Sequence, residues 1–201
     1  MTGSLLPRDF YIDPPDLVAR KLLGKLLVRP GEGMAGRIVE VEAYFGESDP
    51  AAHSFSGKTA RNAVLFGPPG FAYVYFVYGM HYCLNVSCEP EGRAGGVLFR
   101  ALEPIAGLEA MAANRGLASI ANPAMLTSGP GRLCQAFGVT RARDNGADFT
   151  QPDSDLQIRE DGFSDAKVLV TPRIGITKAA EHPARYLLAG NACVSGRKRQ
   201  I

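Results

Sequence analysis

The run FAYVYFVYGMHYCLNVSC, residues 71–88, constrains the fold more than any other part of the chain. Its aromatic and β-branched residues favour a pleated, half-buried backbone, and Tyr78-Gly79 interrupts it. The pattern predicts two strands joined by a tight turn with Tyr78 at the tip. A second pair is predicted upstream, where LLVRP and GRIVEVEAY are separated by the turn residues GEGMAG. Alternation along GRIVEVEAY puts Val39, Val41 and Ala43 on one face and Ile38, Glu40, Glu42 and Tyr44 on the other.

Helices are predicted in shorter pieces. Asp13-Pro14-Pro15 before DLVARKLLG reads as an N-cap, first-turn prolines and an amphipathic helix stopping at Gly24. GGVLFRALEP reads as a strand ended by Pro104, and IAGLEAMAANRG as a helix. SGPGRLCQAFG has Ser128 in the capping position and closes on Gly138; its N-terminal amides suit either a phosphate or a plain capped end. Residues 45–70 are rich in small and polar types and read as a long loop, a common place for function. Residues 141–165 are polar without a clear period, and strand character resumes in AKVLVTPRIGI and ARYLLAGNACVS. With no repeat and no linker, residues 1–201 are expected to form a single α+β domain. Its sheet is mixed and mostly antiparallel, its helices are short, and residues 196–201 form a loose, solvated tail.

Composition narrows the partners. A formal charge of +2 and a pI near 8.4 are too slight for a protein that coats nucleic acid, so any such contact belongs to a local basic face. The cysteines at 83, 88, 134 and 193 sit in mostly apolar runs and never as C-x-x-C, and no zinc framework or other metal site is visible. Without a signal-peptide pattern or a membrane-length apolar run, a cytosolic protein with reduced thiols is expected. No phosphate-loop or dinucleotide fingerprint occurs, so no cofactor is expected.

The candidate chemistry lies in residues 40–85. Glu42 and Tyr44 share a strand face, which sets a carboxylate beside an aromatic plate. Cleaving an N-glycosidic bond passes through a sugar with oxocarbenium character, so one carboxylate can deprotonate water and also stabilise the cation. Periodicity alone does not choose between Glu42 and Glu40, and either suits a plain strand glutamate. Tyr44, Tyr73, Tyr75 and Tyr78 occur in a chain with no tryptophan; they fit a stacking pocket or an ordinary core boundary. Tyr78, beside Gly79 and Met80, has the reach of a wedge into stacked bases, or is a simple turn tyrosine. Arg100 ends the apolar run VLF, where a cation needs a partner; Glu42 and Glu103 are both candidates. His53 in DPAAHS suits base contact or a loop hydrogen bond. No lysine sits in an apolar context that would make it a nucleophile, so water is the expected attacking group.

Taken together, RIVEVEAYFG, DPAAHS, YVYFVYGM, CLNVS, VLFRALEP and SGPGRLCQA resemble the alkyladenine (3-methyladenine) DNA glycosylase family through most of the chain. The resemblance implies a monomeric base-excision repair enzyme without cofactor or metal, with a fold related to a formyltransferase C-terminal domain. Such an enzyme flips damaged purines (3-methyladenine, 7-methylguanine, hypoxanthine, ethenoadenine) out of double-stranded DNA and hydrolyses the N-glycosidic bond. It implies Glu42 as the group that activates water, with Arg100 and the backbone carbonyl of Ile174 holding that water. It also implies Tyr44, His53 and Tyr75 around the extruded base, Asn85 as the pocket asparagine that disfavours normal guanine, and Tyr78 with Met80 as the inserted wedge. His81 departs from the family, standing where animal members are expected to carry tyrosine. A bacterial-type cytoplasmic enzyme working at the nucleoid is the expected setting. A lesion-binding module without catalysis and a nucleoside N-ribohydrolase are the alternative readings.

Overall fold

A computed structural model describes residues 3–164 and 167–196. One antiparallel sheet organises them. Its strands are β1 (Ser4–Leu5), β2 (Leu26–Arg29), β3 (Met34–Tyr44), β4 (Ala72–Val77), β5 (His81–Ser87), β6 (Gly96–Ala106), β7 (Gln157–Glu160), β8 (Val168–Thr171) and β9 (Arg185–Leu188). The order is β1-β7-β2-β3-β6-β5-β4, with β9 on β3 and β8 on β9. The α+β expectation holds, and every pairing among the described residues is antiparallel, so the mixed element of that expectation is absent.

The long strand β3 is central. On one edge it meets β6, and on the other first β2 and then, at residues 40–42, β9. Paired on both edges and covered on both faces, it buries Glu40 and Glu42 completely. Opposite Glu40 and Val41 stand Ala101 and Phe99, leaving Arg100 as an extra residue; Val39 is likewise extra between Ile38 and Glu40. Such bulges re-aim a side chain, and here the strand turns Arg100 toward the two glutamates. The predicted hairpin of β4 and β5 forms with Val77 opposite His81 and a three-residue tip at positions 78–80.

Among the described residues five α-helices surround the sheet: α1 (Pro15–Leu22), α2 (Leu108–Asn114), α3 (Ala124–Thr127), α4 (Pro130–Ala136) and α5 (Arg141–Asp144). Helix α1 turns Val18, Ala19 and Leu22 onto β3 and β6, and α4 turns Leu133, Cys134 and Ala136 onto β5 and β6. Phe99, Phe137 and Phe149 fill the main core, where each buried ring contributes about 1.5–3 kcal/mol. All four cysteines are buried, as their apolar runs suggest.

Several local expectations change. The residue capping α1 is Pro14, while Asp13 pairs with Lys21. Gly129 precedes α4, and the Ser128 hydroxyl donates instead to the Val194 carbonyl. Strand β6 continues through Pro104 to Ala106, taking Ile105 from the predicted helix, because a register shift opposite residues 35 and 36 accommodates the proline. Strands β1 and β7 and helix α5 come from segments where no element is predicted. Of the predicted loose tail, residues 197–201 lie outside the described residues. No helix among the described residues is long and apolar enough to cross a membrane.

Candidate active site

Glu40 and Glu42 point to the same side of β3, yet their surroundings differ. Glu40 is saturated: its carboxylate accepts from Arg100 Nε at 2.9 Å, Arg185 Nε at 2.6 Å, Ser195 N at 2.5 Å and Ser195 Oγ at 3.0 Å. Glu42 receives Arg100 Nη1 at 3.1 Å and the Ile174 N–H at 2.8 Å on Oε1, and the Tyr44 hydroxyl at 2.9 Å on Oε2. Glu42 lines a cavity of about 260 Å³ that it shares with Arg100, Tyr44, Tyr75, His81 and Ile174. Sequence alternation leaves the two equal; packing separates an ionic strut from a buried carboxylate on a cavity wall.

An adjoining cavity of about 200 Å³ is walled by Tyr44, His53, Tyr73, Tyr75 and Asn85. Tyr44, Tyr75, Val77 and Tyr78 border both cavities, so the aromatic slot and the cavity at the carboxylate share a wall. His53 meets Tyr75 edge-on with centroids 4.4 Å apart, and its Nδ1 lies 3.0 Å from the Tyr73 hydroxyl. The Asn85 amide donates to the Tyr73 carbonyl at 3.1 Å, fixing its orientation at the slot floor. At the hairpin tip Tyr78 is 79% exposed and Met80 69% exposed, and Tyr78 adopts a left-handed φ of 53°. Both side chains stand in solvent at one end of the hairpin.

Residues 9–192 match the Methylpurine-DNA glycosylase family. The chain belongs to the methylpurine-DNA glycosylase family. It is 62% identical over 196 residues to the "Putative 3-methyladenine DNA glycosylase" of Koribacter versatilis, covering 96% of this chain and 94% of that protein. Proteins carrying the same name in Rhodopseudomonas palustris (50% identity, 96% and 91% covered) and Burkholderia lata (48%, 96% and 92%) are similar along the same length. The protein is therefore a DNA glycosylase of base-excision repair, a hydrolase of N-glycosyl bonds with DNA as its substrate.

The electrostatics of this glycosylase's site follow from its burial. Burial, then the Glu42 charge, push the Tyr44 phenol far above its ordinary pKa, so it stays a protonated donor to the carboxylate. Burial likewise raises Tyr75, followed by the effect of Cys83. Burial acts to lower Arg100, but Glu42 and Glu40 outweigh it and hold the guanidinium charged. His53 keeps an exposed edge, yet desolvation of its packed side, with Arg61 nearby, holds its pKa below the ordinary histidine value. Among the described residues no three His, Cys, Asp or Glu side chains form a metal-ligating cluster.

The structure thus gathers Glu42, Arg100, Ile174, Tyr44, His53, Tyr75, Asn85 and Tyr78 around two joined cavities, with Met80 outside them at the tip. It is the Ile174 amide, donating to Glu42, that is seen at the carboxylate. The alternative partner of Arg100, Glu103, instead accepts from Asn191. Sequence reasoning missed Arg173, Asp49, Arg185 and Ser195, all of which hold the site in place. Arg173 carries the same signal that singles out Arg100, a cation within a strand-like apolar segment; Ser195 carries none.

Proposed function

We propose that the protein excises damaged purines, with 3-methyladenine, 7-methylguanine, hypoxanthine and ethenoadenine as the substrate class, by water attack on a flipped nucleotide. The observation that carries this reading is Glu42, a buried carboxylate on the wall of a cavity that adjoins a tyrosine-histidine slot. Tyr44, His53 and Tyr75 contact the extruded ring, and Tyr78 with Met80 fills the gap left in the duplex, offsetting part of the few kcal/mol that extrusion costs. Asn85 at the floor crowds the exocyclic amino group of normal guanine.

Glu42 takes a proton from water as its oxygen bonds to the sugar carbon, and the bond from that carbon to the purine nitrogen breaks with its electron pair leaving on the base. A cationic methylated purine leaves as the neutral base, and a neutral one such as hypoxanthine takes its proton from solvent. The carboxylate faces the positive charge that develops on the sugar, and Arg100 with the Ile174 carbonyl holds the water. An abasic site remains and the strand is not cut. The enzyme acts as a monomer at the chromosome of a bacterial-type cytoplasm.

The test is release of free base from duplexes carrying each lesion, with inosine as a nucleoside control. Glu42→Gln is expected to keep binding lesion DNA while base release falls by at least about 10²-fold, the scale of a lost general base. Release by that variant at the wild-type rate, or hydrolysis of inosine in preference to DNA, would reject the reading.

A further inference from the structure

Arg173 follows β8 and is 5% exposed, too dry for a cation without a counter-charge. Its guanidinium forks onto Asp49, with Nη1 at 2.5 Å and Nη2 at 3.0 Å, and Nη1 also donates to the Ala43 carbonyl at 3.0 Å. Its central carbon lies 4.7 Å from the centroid of the Tyr44 ring. Asp49 in turn accepts the amides of Phe45 at 3.2 Å and Ala51 at 3.0 Å, which folds the turn leading to His53. Burial alone would raise the Asp49 carboxyl, but Arg173 and those two amides outweigh it and hold it below the ordinary carboxylate range. One residue further along the chain, the Ile174 amide donates to Glu42. Arg173 itself borders neither cavity, whereas Tyr44 borders both.

We infer that Arg173, anchored by Asp49, is a positioning residue for base excision: it backs the Tyr44 ring and sets the Ile174 backbone against Glu42 without touching DNA. This rests on the function proposed above. One guanidinium ties together the end of β3, the turn that carries His53 and the segment after β8. Freed from it, the Tyr44 ring gains rotamers and the Ile174 amide drifts from the carboxylate, while the DNA-facing hairpin tip is untouched.

The experiment compares wild type with Arg173→Lys, Arg173→Met and Asp49→Asn. Base release from a hypoxanthine duplex is measured at single turnover with enzyme in excess, per molecule competent to bind a duplex containing an abasic site. Arg173→Met and Asp49→Asn are expected to slow release by about 10²-fold, the cost of an error of about 1 Å in placement. Affinity for the abasic duplex, in which no base meets Tyr44, stays at the wild-type value, and Arg173→Lys restores part of the rate. Arg173→Met combined with Tyr44→Leu should lose less than the product of the single losses, as groups acting as one unit do. Wild-type rates per binding-competent molecule, or strictly multiplicative losses, overturn the inference. If Arg173→Met does not fold, Arg173→Lys and Asp49→Asn decide the matter. Failure of the wild type itself to release any base would instead overturn the proposed function.

Discussion

Replacing each of the two buried glutamates of β3 by glutamine should separate folding from chemistry at positions two residues apart. Glu40 accepts from two arginines and from both the amide and the hydroxyl of Ser195. The side chains of Arg100 and Arg185 are only 9% and 11% exposed, and Glu40→Gln leaves Arg185 in that dry site without the carboxylate it pairs with, while Arg100 keeps Glu42. Breaking such a pair costs about 3–5 kcal/mol. Against a total stability of about 5–15 kcal/mol that is a large fraction. For a chain of this size it lowers Tm by roughly 6–20 °C. In Glu42→Gln the amide oxygen still accepts the Ile174 N–H, and both arginines keep their contact with Glu40. Its expected cost is about 1.5–3 kcal/mol, that of a hydrogen bond to a charged group. Urea unfolding followed by circular dichroism, paired with single-turnover base release, reads both effects. Glu40→Gln should lose the more stability yet retain release per folded molecule, and Glu42→Gln should lose release at the smaller cost in stability. Equal stability losses in the two variants, or a Glu40→Gln protein as stable as wild type, would refute the assignment of strut and catalyst.

Tyr78 holds a left-handed φ of 53° that glycine adopts without penalty. Tyr78→Gly is therefore expected to raise unfolding stability by about 1 kcal/mol, while slowing base release from duplex far more than from single-stranded DNA; equal slowing on both would contradict the wedge. His53 has a folded pKa held below its ordinary 6.5, so the unfolded chain binds its proton more tightly. The resulting stability is complete above pH 6.5 and is lost as pH falls toward and through the folded value. The urea midpoint of His53→Gln should decline less steeply than that of wild type on acidification from that pH, and parallel declines would count against the environment described for His53.

How much of this was readable in advance depended on the range of the interaction. The hairpins of β2 with β3 and β4 with β5 were legible because alternation and turn residues are local, and so was the exposed tip at Tyr78. Strand β7 was not, because in four residues its buried Gln157 spends its amide on the carbonyls of Pro152 and Ser154, leaving no apolar alternation to see. Ser128 looked like a cap but found a better acceptor in Val194, distant in sequence. The sharing of a face by Glu40, Glu42 and Tyr44 followed from strand geometry. Which glutamate is locked and which faces a cavity depended on Arg185 and Ser195, about 150 positions away along the chain, and on a bulge at Arg100 that no alternation rule anticipates.

The dependence of Glu40 on Ser195 and Arg185 makes the order of synthesis matter. Strand β3 leaves the ribosome early, but its ion cluster stays open until the C-terminal segment docks beside it. A nascent or prematurely terminated chain ending before β9 carries the whole aromatic slot, yet lacks the staple that fixes Arg100 beneath it.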